Sequence, residues 1–295
     1  MDDVTTQREQ TLEAETIATF KAPREAGLKP QRPTLAVFNQ PLETPMRRTH
    51  SLALLLTLVA IQASAQSADG ITSLNQDQAL AGMPGDSAGF PVTLSKSGSY
   101  RLTSNLVVPA GIDGIVVSPG LSVVIDLNGF QIVGPATCSN LVNCSANGGT
   151  AGVRGGSEST SLTVRNGRIR GFTGAGISAF DTYNTSVGTD MTVEDMQLWN
   201  NAYGIRAKRL IGARLHLKGN SAYAMAVDLG QIQSSVAIAN GNGFYVGSGR
   251  ISDSSAMDNK GYGFSGGGTL LMHYNFALGN ATNIYYPPNS KINQY

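Results

Sequence analysis

The stretch DNKGYGF, residues 258–264, belongs to a pattern that recurs through the second half of the chain. Each unit contains an asparagine, a few small residues and one closing apolar residue. The closing residues follow one another at steps of 20, 19, 20 and 20 positions, and they are Ile205, Met225, Phe244, Phe264 and Ile284. The asparagines advance in the same way, as Asn201, Asn220, Asn240, Asn259 and Asn280. Self-similarity at a period of about 20 residues is typical of a solenoid.

The segments between these units predict short β-strands. LTVRNGRI (162–169) and MTVEDMQL (191–198) alternate apolar and polar residues, which is the period of a strand. The glycines between them would destabilise helices. The sequence therefore predicts an all-β parallel β-helix with coils of about 20 residues, whose stacked units share one core. In this prediction the asparagines form a hydrogen-bonded ladder at a corner, the glycines allow the turn, and the closing residues point inward.

Ile177 fits the series one unit earlier, at a longer step of 28 residues. The extra length corresponds to the segment DTYNTSVGTD at 181–190, which we expect to be an inserted loop.

Charge and composition exclude some classes of function. With 21 basic and 20 acidic residues, the chain has no overall field that would attract nucleic acid. A hydrophobic content of 41% disfavours disorder.

A targeting signal is predicted at 46–65, where the chain reads MRRTHSLALLLTLVAIQASA. It has a basic start, a short apolar run and an A-x-A cleavage site at Ala63–Ala65, as in a secretory signal peptide. The apolar run is too short to span a bilayer. We therefore expect a secreted or periplasmic protein with no membrane span after cleavage. Residues 1–45 either precede the true start at Met46 or form a polar extension.

The remaining chain is divided into a β-helix at 66–286 and a C-terminal cap at 287–295, where the repeat is absent. Within it, Cys138 and Cys144 are close in sequence and would form a disulfide in an oxidising compartment. The alternative, a two-cysteine metal site, lacks nearby histidine or cysteine to complete a tetrahedral set. We accordingly expect no metal and no cofactor.

Two early segments carry a family resemblance, GSYRLTSNLVV (98–108) and LSVVIDLNGFQIVG (121–134). Together with the repeats at about 160–286, they resemble right-handed parallel β-helix proteins of the pectate-lyase-like superfamily, in its exported bacterial form. The resemblance implies a right-handed solenoid. It does not imply one activity, because the superfamily includes lyases, hydrolases, esterases, epimerases and non-enzymatic binders. The Asn-Thr-Asp-Gly motif of its polygalacturonases and an acidic cluster like the calcium site of its pectate lyases are absent.

Aligning the coils predicts which residues share an outer face. The alignment uses one inward residue per coil as an anchor, namely Ile169, Leu198, Leu217, Ile238, Met257 and Leu278. Strand alternation then places a polar group on the outer face of the first three coils. Its members are Arg168, Arg170, Asp195, Gln197, Trp199, Arg214, His216 and Lys218. The last three coils would present small residues, including Ala237, Ala256 and Ala277.

This polar group predicts an anionic polysaccharide as partner. Between Arg165 and Lys218 there are eight basic and four acidic residues, and guanidinium groups bind carboxylate or sulfate bidentately. We expect Trp199 to stack on a sugar, and the other ligand-binding residues to be Arg170, Gln197, Arg214 and Lys218.

Whether the chain is an enzyme is left open. As a polysaccharide lyase, it would use Arg168 to neutralise a uronate carboxylate, His216 as the base and Asp195 to orient His216. The alternative function is a non-catalytic structural or adhesive β-helix that binds other proteins or surfaces through its flat small-residue face.

Overall fold

The computed structural model describes residues 70–136, 138–140, 143–144, 150–156, 160–179, 189–267, 269–285 and 291–294. The chain divides into two units, 1–61 and 62–295, and all the described residues belong to the second unit. The predicted extension at 1–45 and signal peptide at 46–65 lie outside the described residues, and so does most of the insertion at 181–190.

The regular secondary structure of the described residues is almost entirely β-strand. One short helix, α1 (Gln76–Ala81), begins at the capping residue Asn75, whose side chain accepts a hydrogen bond from the Gln78 N–H. The strands are β1 (Ile71–Leu74), β2 (Val92–Leu94), β3 (Gly98–Leu102), β4 (Leu106–Val107), β5 (Ile115–Val117), β6 (Ser122–Asp126), β7 (Gln131–Val133), β8 (Cys138–Asn140), β9 (Asn143–Cys144), β10 (Ala151–Arg154), β11 (Ser161–Arg170), β12 (Ala175–Ala179), β13 (Asp190–Trp199), β14 (Tyr203–Ala213), β15 (His216–Lys218), β16 (Tyr223–Gln233), β17 (Val236–Ile238), β18 (Asn242–Ser252), β19 (Ser255–Met257), β20 (Tyr262–Ser265), β21 (Thr269–His273), β22 (Phe276–Leu278), β23 (Thr282–Tyr285) and β24 (Lys291–Gln294).

Three parallel sheets run the length of the solenoid, and five long strands turn a corner from one sheet into the next. Sheet I contains β1, β3, β6, the first halves of β11 and β13, the second halves of β14, β16 and β18, and then β21 and β24. Sheet II contains β4, β7, the second halves of β11 and β13, β15, β17, β19 and β22. Sheet III contains β2, β5, β10, β12, the first halves of β14, β16 and β18, β20 and β23. The predicted all-β parallel β-helix is confirmed.

The closing residues of the repeat form one column, as predicted, and the column is buried except at its last member, Ile284, which is 36% exposed. Register pairs each of them with the next along sheet III, and the column comprises Val92, Ile115, Val153, Ile177, Ile205, Met225, Phe244, Phe264 and Ile284. Phe244 and Phe264 are at most 1% exposed, and their ring centroids are 5.3 Å apart. Burying each such side chain contributes about 1.5–3 kcal/mol, so the column accounts for much of the cohesion between coils.

The predicted asparagine ladder is also confirmed. Asn240 is fully buried, and its Oδ1 accepts hydrogen bonds from the backbone N–H of Asn220 at 2.9 Å and from the Asn220 Nδ2 at 3.0 Å. Its own Nδ2 donates to the Leu217 carbonyl at 3.1 Å. The same arrangement repeats from Asn201 through Asn280, so each corner of sheets II and III is bonded to the corner of the next coil.

The glycines of the repeat have two roles, of which only the turn was predicted. Gly243 lies within a strand, where an added Cβ would come 2.1 Å from the carbonyl oxygen of Gly263 in the next coil. The equivalent Cβ at Gly204 would be 2.3 Å from a carbonyl oxygen. The turn is instead made by the residue before each ladder asparagine, which adopts the left-handed conformation; these residues are Asn200, Gly219, Ala239, Asp258 and Gly279. Gly219 and Gly279 therefore allow the turn, as predicted, whereas Gly204 and Gly243 permit close stacking of the coils.

Within the part of the chain that the structure describes, no helix has the length and apolarity needed to cross a membrane. β8 and β9 form a separate antiparallel pair that places Cys138 opposite Cys144. The side chains of both cysteines lie outside the described residues, so the disulfide stays a prediction. β24 pairs with β21, and sheet I therefore continues into the segment predicted as a cap.

Candidate functional site

The register of sheet II corrects the predicted alignment of its outer face. Leu217 pairs with Ala237, which pairs with Ala256, which pairs with Ala277. Ala237 and Ala256 are completely buried, whereas Leu278 is 59% exposed. The predicted anchors Ile238, Met257 and Leu278 therefore lie on the outer face, and the predicted flat surface of small residues does not exist. The inward residue is alanine here because this part of the core is filled by larger residues from other walls, including Phe244 and Phe264.

Six of the predicted site residues come together on sheet II. Register aligns Arg168 with Gln197 and His216 in one outward column, and Arg170 with Trp199 and Lys218 in the next. We call this group the basic patch, and its members are Arg168, Arg170, Gln197, Trp199, His216 and Lys218. No carboxylate occurs at the outward positions of the described sheet II strands. The basic patch therefore carries positive charge that no acidic side chain on the same face offsets.

Arg168 is held in place by its neighbours in the next coil. Its Cζ lies 4.0 Å from the centroid of the Trp199 ring. Its Nε and Nη2 donate to the Gln197 Oε1 at 2.9 and 2.7 Å. A guanidinium has five N–H donors, so three remain for a ligand. The packing on an aromatic face and the bond to Gln197 fix the direction in which those donors point.

Trp199 lies between Arg168 and His216. The indole and imidazole centroids are 5.6 Å apart with an interplanar angle of 86°, an edge-to-face contact. Because Arg168 covers one face of the indole, that face is not available for the predicted stacking on a sugar. The indole Nε1 is buried and has no hydrogen-bond partner among the described residues. The indole thus acts chiefly as a support for the two side chains beside it.

The pKa of His216 is lowered by its surroundings. Burial makes the largest contribution, followed by the positive charges of Lys218 and Arg168. Because all three disfavour the imidazolium, the imidazole is neutral near pH 7 and has a lone pair available to accept a proton.

Asp195 and Arg214 lie at the corner between sheets I and II, each in the left-handed conformation. The Arg214 Nε donates to the Asp195 Oδ1 at 2.6 Å, and Nη2 donates to Oδ2 at 2.8 Å. This bond lowers the pKa of Asp195, which is therefore ionised at neutral pH. Asp195 has Arg214 as its partner, whereas the orientation of His216 by Asp195 stays a prediction.

Sequence analysis missed a depression on the outer face of sheet I. Its cavity volume is about 770 Å³, and Ile211, Leu229, Gln231, Arg250 and Leu271 are among the residues that line it. Ile211 and Leu229 are 54% and 50% exposed. The detectable signal is that these apolar residues alternate with buried ones along β14 and β16, so they cannot point inward. A row of tyrosines on sheet III was missed as well.

Comparison with known proteins does not assign the chain to a family. A scan against protein-family models found no match, and a search of curated proteins found none either. Among the residues that the structure describes, no group of three or more histidine, cysteine, aspartate or glutamate side chains could hold a metal ion. What the structure shows is the architecture, a parallel β-helix, with a basic patch on one of its sheets.

Proposed function

We propose that the chain is an exported β-helix protein, related to the pectate-lyase-like superfamily, that binds an anionic polysaccharide on the basic patch. The observation that carries the proposal is the presence of Arg168 and Arg170 on β11 and of Lys218 on β15, two strands apart on one sheet face, without an acidic side chain among them. The signal-like segment at 46–65 and the antiparallel pairing of Cys138 with Cys144 support export.

The dimensions of the basic patch suit a short stretch of polymer. Three strands at about 4.8 Å separation span roughly 10 Å, which is enough for about two sugar units. Arg168 offers three N–H donors, and the Arg170 Nε is bonded to the Gln131 Oε1 at 3.1 Å, so both guanidinium groups are oriented before the ligand arrives. Guanidinium and ammonium groups on one face would each bind a carboxylate or sulfate of the polymer.

A lyase version of the proposal adds one chemical step. Arg168 neutralises the carboxylate of a uronate, and neutral His216 removes the proton on the carbon next to that carboxylate. The electron pair of that carbon–hydrogen bond forms a carbon–carbon double bond as the bond from the adjacent ring carbon to the glycosidic oxygen breaks. The leaving oxygen takes up a proton from water, giving an unsaturated product and a shorter chain. The lowered pKa of His216 supports this role, because a general base must be unprotonated at the working pH.

The binding proposal is tested by affinity electrophoresis of the full chain in gels that contain polygalacturonate, chondroitin sulfate or neutral dextran. We expect retardation by an anionic polymer and a loss of at least about tenfold in affinity for Arg168→Gln/Lys218→Gln, since about 1–2 kcal/mol per charged contact is removed. Lys260→Gln, at an exposed corner, is the matched control. If neither anionic polymer retards the chain, or if the double variant binds as well as the original, the proposal is wrong.

The lyase version has a separate test, the ultraviolet absorbance of unsaturated uronate products. His216→Gln should abolish product formation while leaving retardation in the gel largely unchanged. If the polymer retards the chain but no unsaturated product forms, the chain binds the polymer without cleaving it.

A structural or adhesive function is the second candidate, and the apolar end of sheet II favours it. Beyond the basic patch, the outward residues become apolar, and Phe276 and Leu278 are 53% and 59% exposed. Exposed apolar surface of this kind is typical of protein contacts. Light scattering would show self-association that Leu278→Ser weakens, whereas a monomer at all concentrations would count against self-assembly.

A further inference from the structure

A row of tyrosines runs along the outer face of sheet III. Each of five successive strands of that sheet contributes one, and they are Tyr203, Tyr223, Tyr245, Tyr262 and Tyr285. Register places Tyr203, Tyr223 and Tyr262 in one column, and Tyr245 and Tyr285 in the neighbouring column. A coil with a tyrosine in one column has a smaller residue or Arg206 in the other. We call this set the tyrosine wall. It holds half of the ten tyrosines in the chain, which is more than an unselected surface would collect on one face.

The rings of the tyrosine wall contact one another from coil to coil. Tyr203 and Tyr223 are stacked with centroids 5.9 Å apart and an interplanar angle of 8°. Tyr245 is turned 70° from Tyr223 at 6.3 Å, and Tyr262 stacks on Tyr285 at 4.6 Å. The wall therefore offers a ligand rings in more than one orientation. Burial, followed by the neighbouring phenols of Tyr203, Tyr262 and Tyr245, raises the pKa of Tyr223, so its hydroxyl group is protonated at neutral pH.

The tyrosine wall is almost free of charge. The one charged residue in its two columns is Arg206, at the end of the row, with its Cζ 5.4 Å from the Tyr203 ring centroid. The other residues at these register positions are uncharged, and they are Ala226, Asn242, Thr282 and the buried Ser265. Tyrosine combines an apolar ring with a hydroxyl that both donates and accepts hydrogen bonds. A ligand with weakly polar faces and many hydroxyl groups, and without charge, complements such a surface.

The shape of the tyrosine wall selects a linear partner. Five strands at about 4.8 Å separation give a length of about 20 Å, and four residues at about 3.3 Å give a width of about 13 Å. The resulting area of roughly 260 Å² is well below the roughly 800 Å² per partner of a stable protein interface. The spacing of one aromatic ring per coil is close to the length that one pyranose ring adds to an extended glycan chain.

We propose that the tyrosine wall is a second binding site, which takes a neutral linear polysaccharide running parallel to the solenoid axis with about one sugar unit per coil. It lies on a different sheet from the basic patch and does not depend on the function proposed for that patch. Phenol hydroxyls bond the sugar hydroxyls, and the rings and small residues between them contact the apolar faces of the sugars.

The test is affinity electrophoresis of the full chain in gels that contain hydroxyethyl cellulose, glucomannan, xylan, a β-1,3-glucan or dextran. At least one of these neutral polymers should retard the chain. Oligosaccharides of the retarding polymer should then bind more tightly with each added sugar up to about five units and no further, because the wall has five tyrosine-bearing coils. Absence of retardation across the whole panel would overturn the proposal.

Variants locate the site. Tyr223→Ala/Tyr262→Ala should lower the affinity for the neutral polymer at least tenfold, and Tyr223→Phe/Tyr262→Phe, which keeps the rings, should have an intermediate effect. Tyr274→Ala is the matched control, because Tyr274 is 76% exposed and lies outside the wall. Circular dichroism checks that each variant folds. If the alanine pair does not fold, the phenylalanine pair, which keeps the rings, still tests the site.

Three other results would contradict the proposal. Unchanged retardation of both tyrosine pairs would place the polymer elsewhere, and retardation that depends on Lys218 would place it on the basic patch. A dimer that the tyrosine variants convert to a monomer would make the wall a contact between two copies of the chain. Retention of anionic polymers should be unaffected by the tyrosine variants, which separates this proposal from the first one.

Discussion

At the scale of single residues, the fold depends most on the buried amides of the asparagine ladder. Asn240 bonds forward to Asn259 and receives bonds from Asn220, and it also donates to two backbone carbonyls. No other side chain of similar size both donates and accepts in this way.

Asn240→Ala should therefore lower the free energy of unfolding by at least about 2 kcal/mol, because it leaves the buried Asn220 N–H without an acceptor. Urea unfolding monitored by circular dichroism measures the change. Asn280→Ala provides a graded comparison, since Asn280 is only partly buried and ends the row, and it should cost less. Equal losses at the two positions would contradict the ladder as the source of the stability.

Gly243→Ala should destabilise the chain by about 1–3 kcal/mol through overpacking, because its Cβ would come 2.1 Å from the Gly263 carbonyl oxygen. At Gly267, the nearest atom to an added Cβ is the Tyr245 hydroxyl at 3.9 Å. Gly267→Ala is therefore the control, and its effect should stay within about 0.5 kcal/mol. Thermal unfolding of the two variants side by side distinguishes close stacking from a general effect of replacing glycine.

His216 should make stability depend on pH. The unfolded histidine has a pKa of about 6.5, and the folded value is lower, so the unfolded chain binds more protons between the two values. The free energy of unfolding should fall as the pH is lowered from about 7 through 6.5, and the loss should stop below the folded pKa. His216→Gln should remove this part of the pH dependence, and urea titrations at a series of pH values test this.

At the scale of elements, the β8–β9 hairpin is the place where a covalent link is expected. Opposed residues of an antiparallel pair have Cα atoms about 4.5–5.5 Å apart, within the range that a disulfide requires. Alkylation of the unreduced chain should leave Cys138 and Cys144 unmodified, as mass spectrometry would show. Cys138→Ser/Cys144→Ser should cost about 2 kcal/mol, the value for closing so short a loop. Alkylation of both thiols without reductant would exclude the link.

The sheets also show which parts of the structure are predictable from sequence. The closing apolar residues and the asparagines were placed correctly, because a large apolar side chain or a buried amide cannot move by one residue without losing its environment. The outer face of sheet II was predicted incorrectly in the later coils. The segments VAI (236–238) and FAL (276–278) are apolar at three successive positions and fit the sheet in either orientation. The glycines were interpreted correctly at Gly219 and Gly279 but not at Gly204 and Gly243, because a glycine can indicate either a left-handed turn or a close approach of backbones.

The contents of the basic patch were likewise predictable in part. Alternation along β11 and β13 is enough to bring Arg168, Gln197 and Trp199 to one face. The pairing of Asp195 with Arg214 was not predictable, because it depends on the left-handed corner at which both residues lie. The tyrosine wall was missed because its members are divided between two columns, so neither column alone repeats a tyrosine at a constant step.

At the scale of the whole molecule, each coil is bonded mainly to the coils before and after it, so stability should be a sum over neighbours. Deleting residues 240–258 would bring Asn259 into the position of Asn240 and leave the ladder, the core column and all three sheets in register. We expect this variant to fold with a strand-rich circular dichroism spectrum and a lower unfolding temperature. Deleting only 240–249 would interrupt the register of all three sheets, and we expect that variant not to fold; similar behaviour of the two deletions would contradict the model of independent coils.

The left-handed corners followed by a ladder asparagine have an evolutionary consequence. Since every such corner is interchangeable with the next, a tandem duplication in the gene that copies one whole coil yields a longer molecule at once, without compensating substitutions. The surfaces on its sides would lengthen in fixed steps of one strand spacing. Descendants of this chain could therefore fit longer or shorter polymers by gaining or losing whole coils.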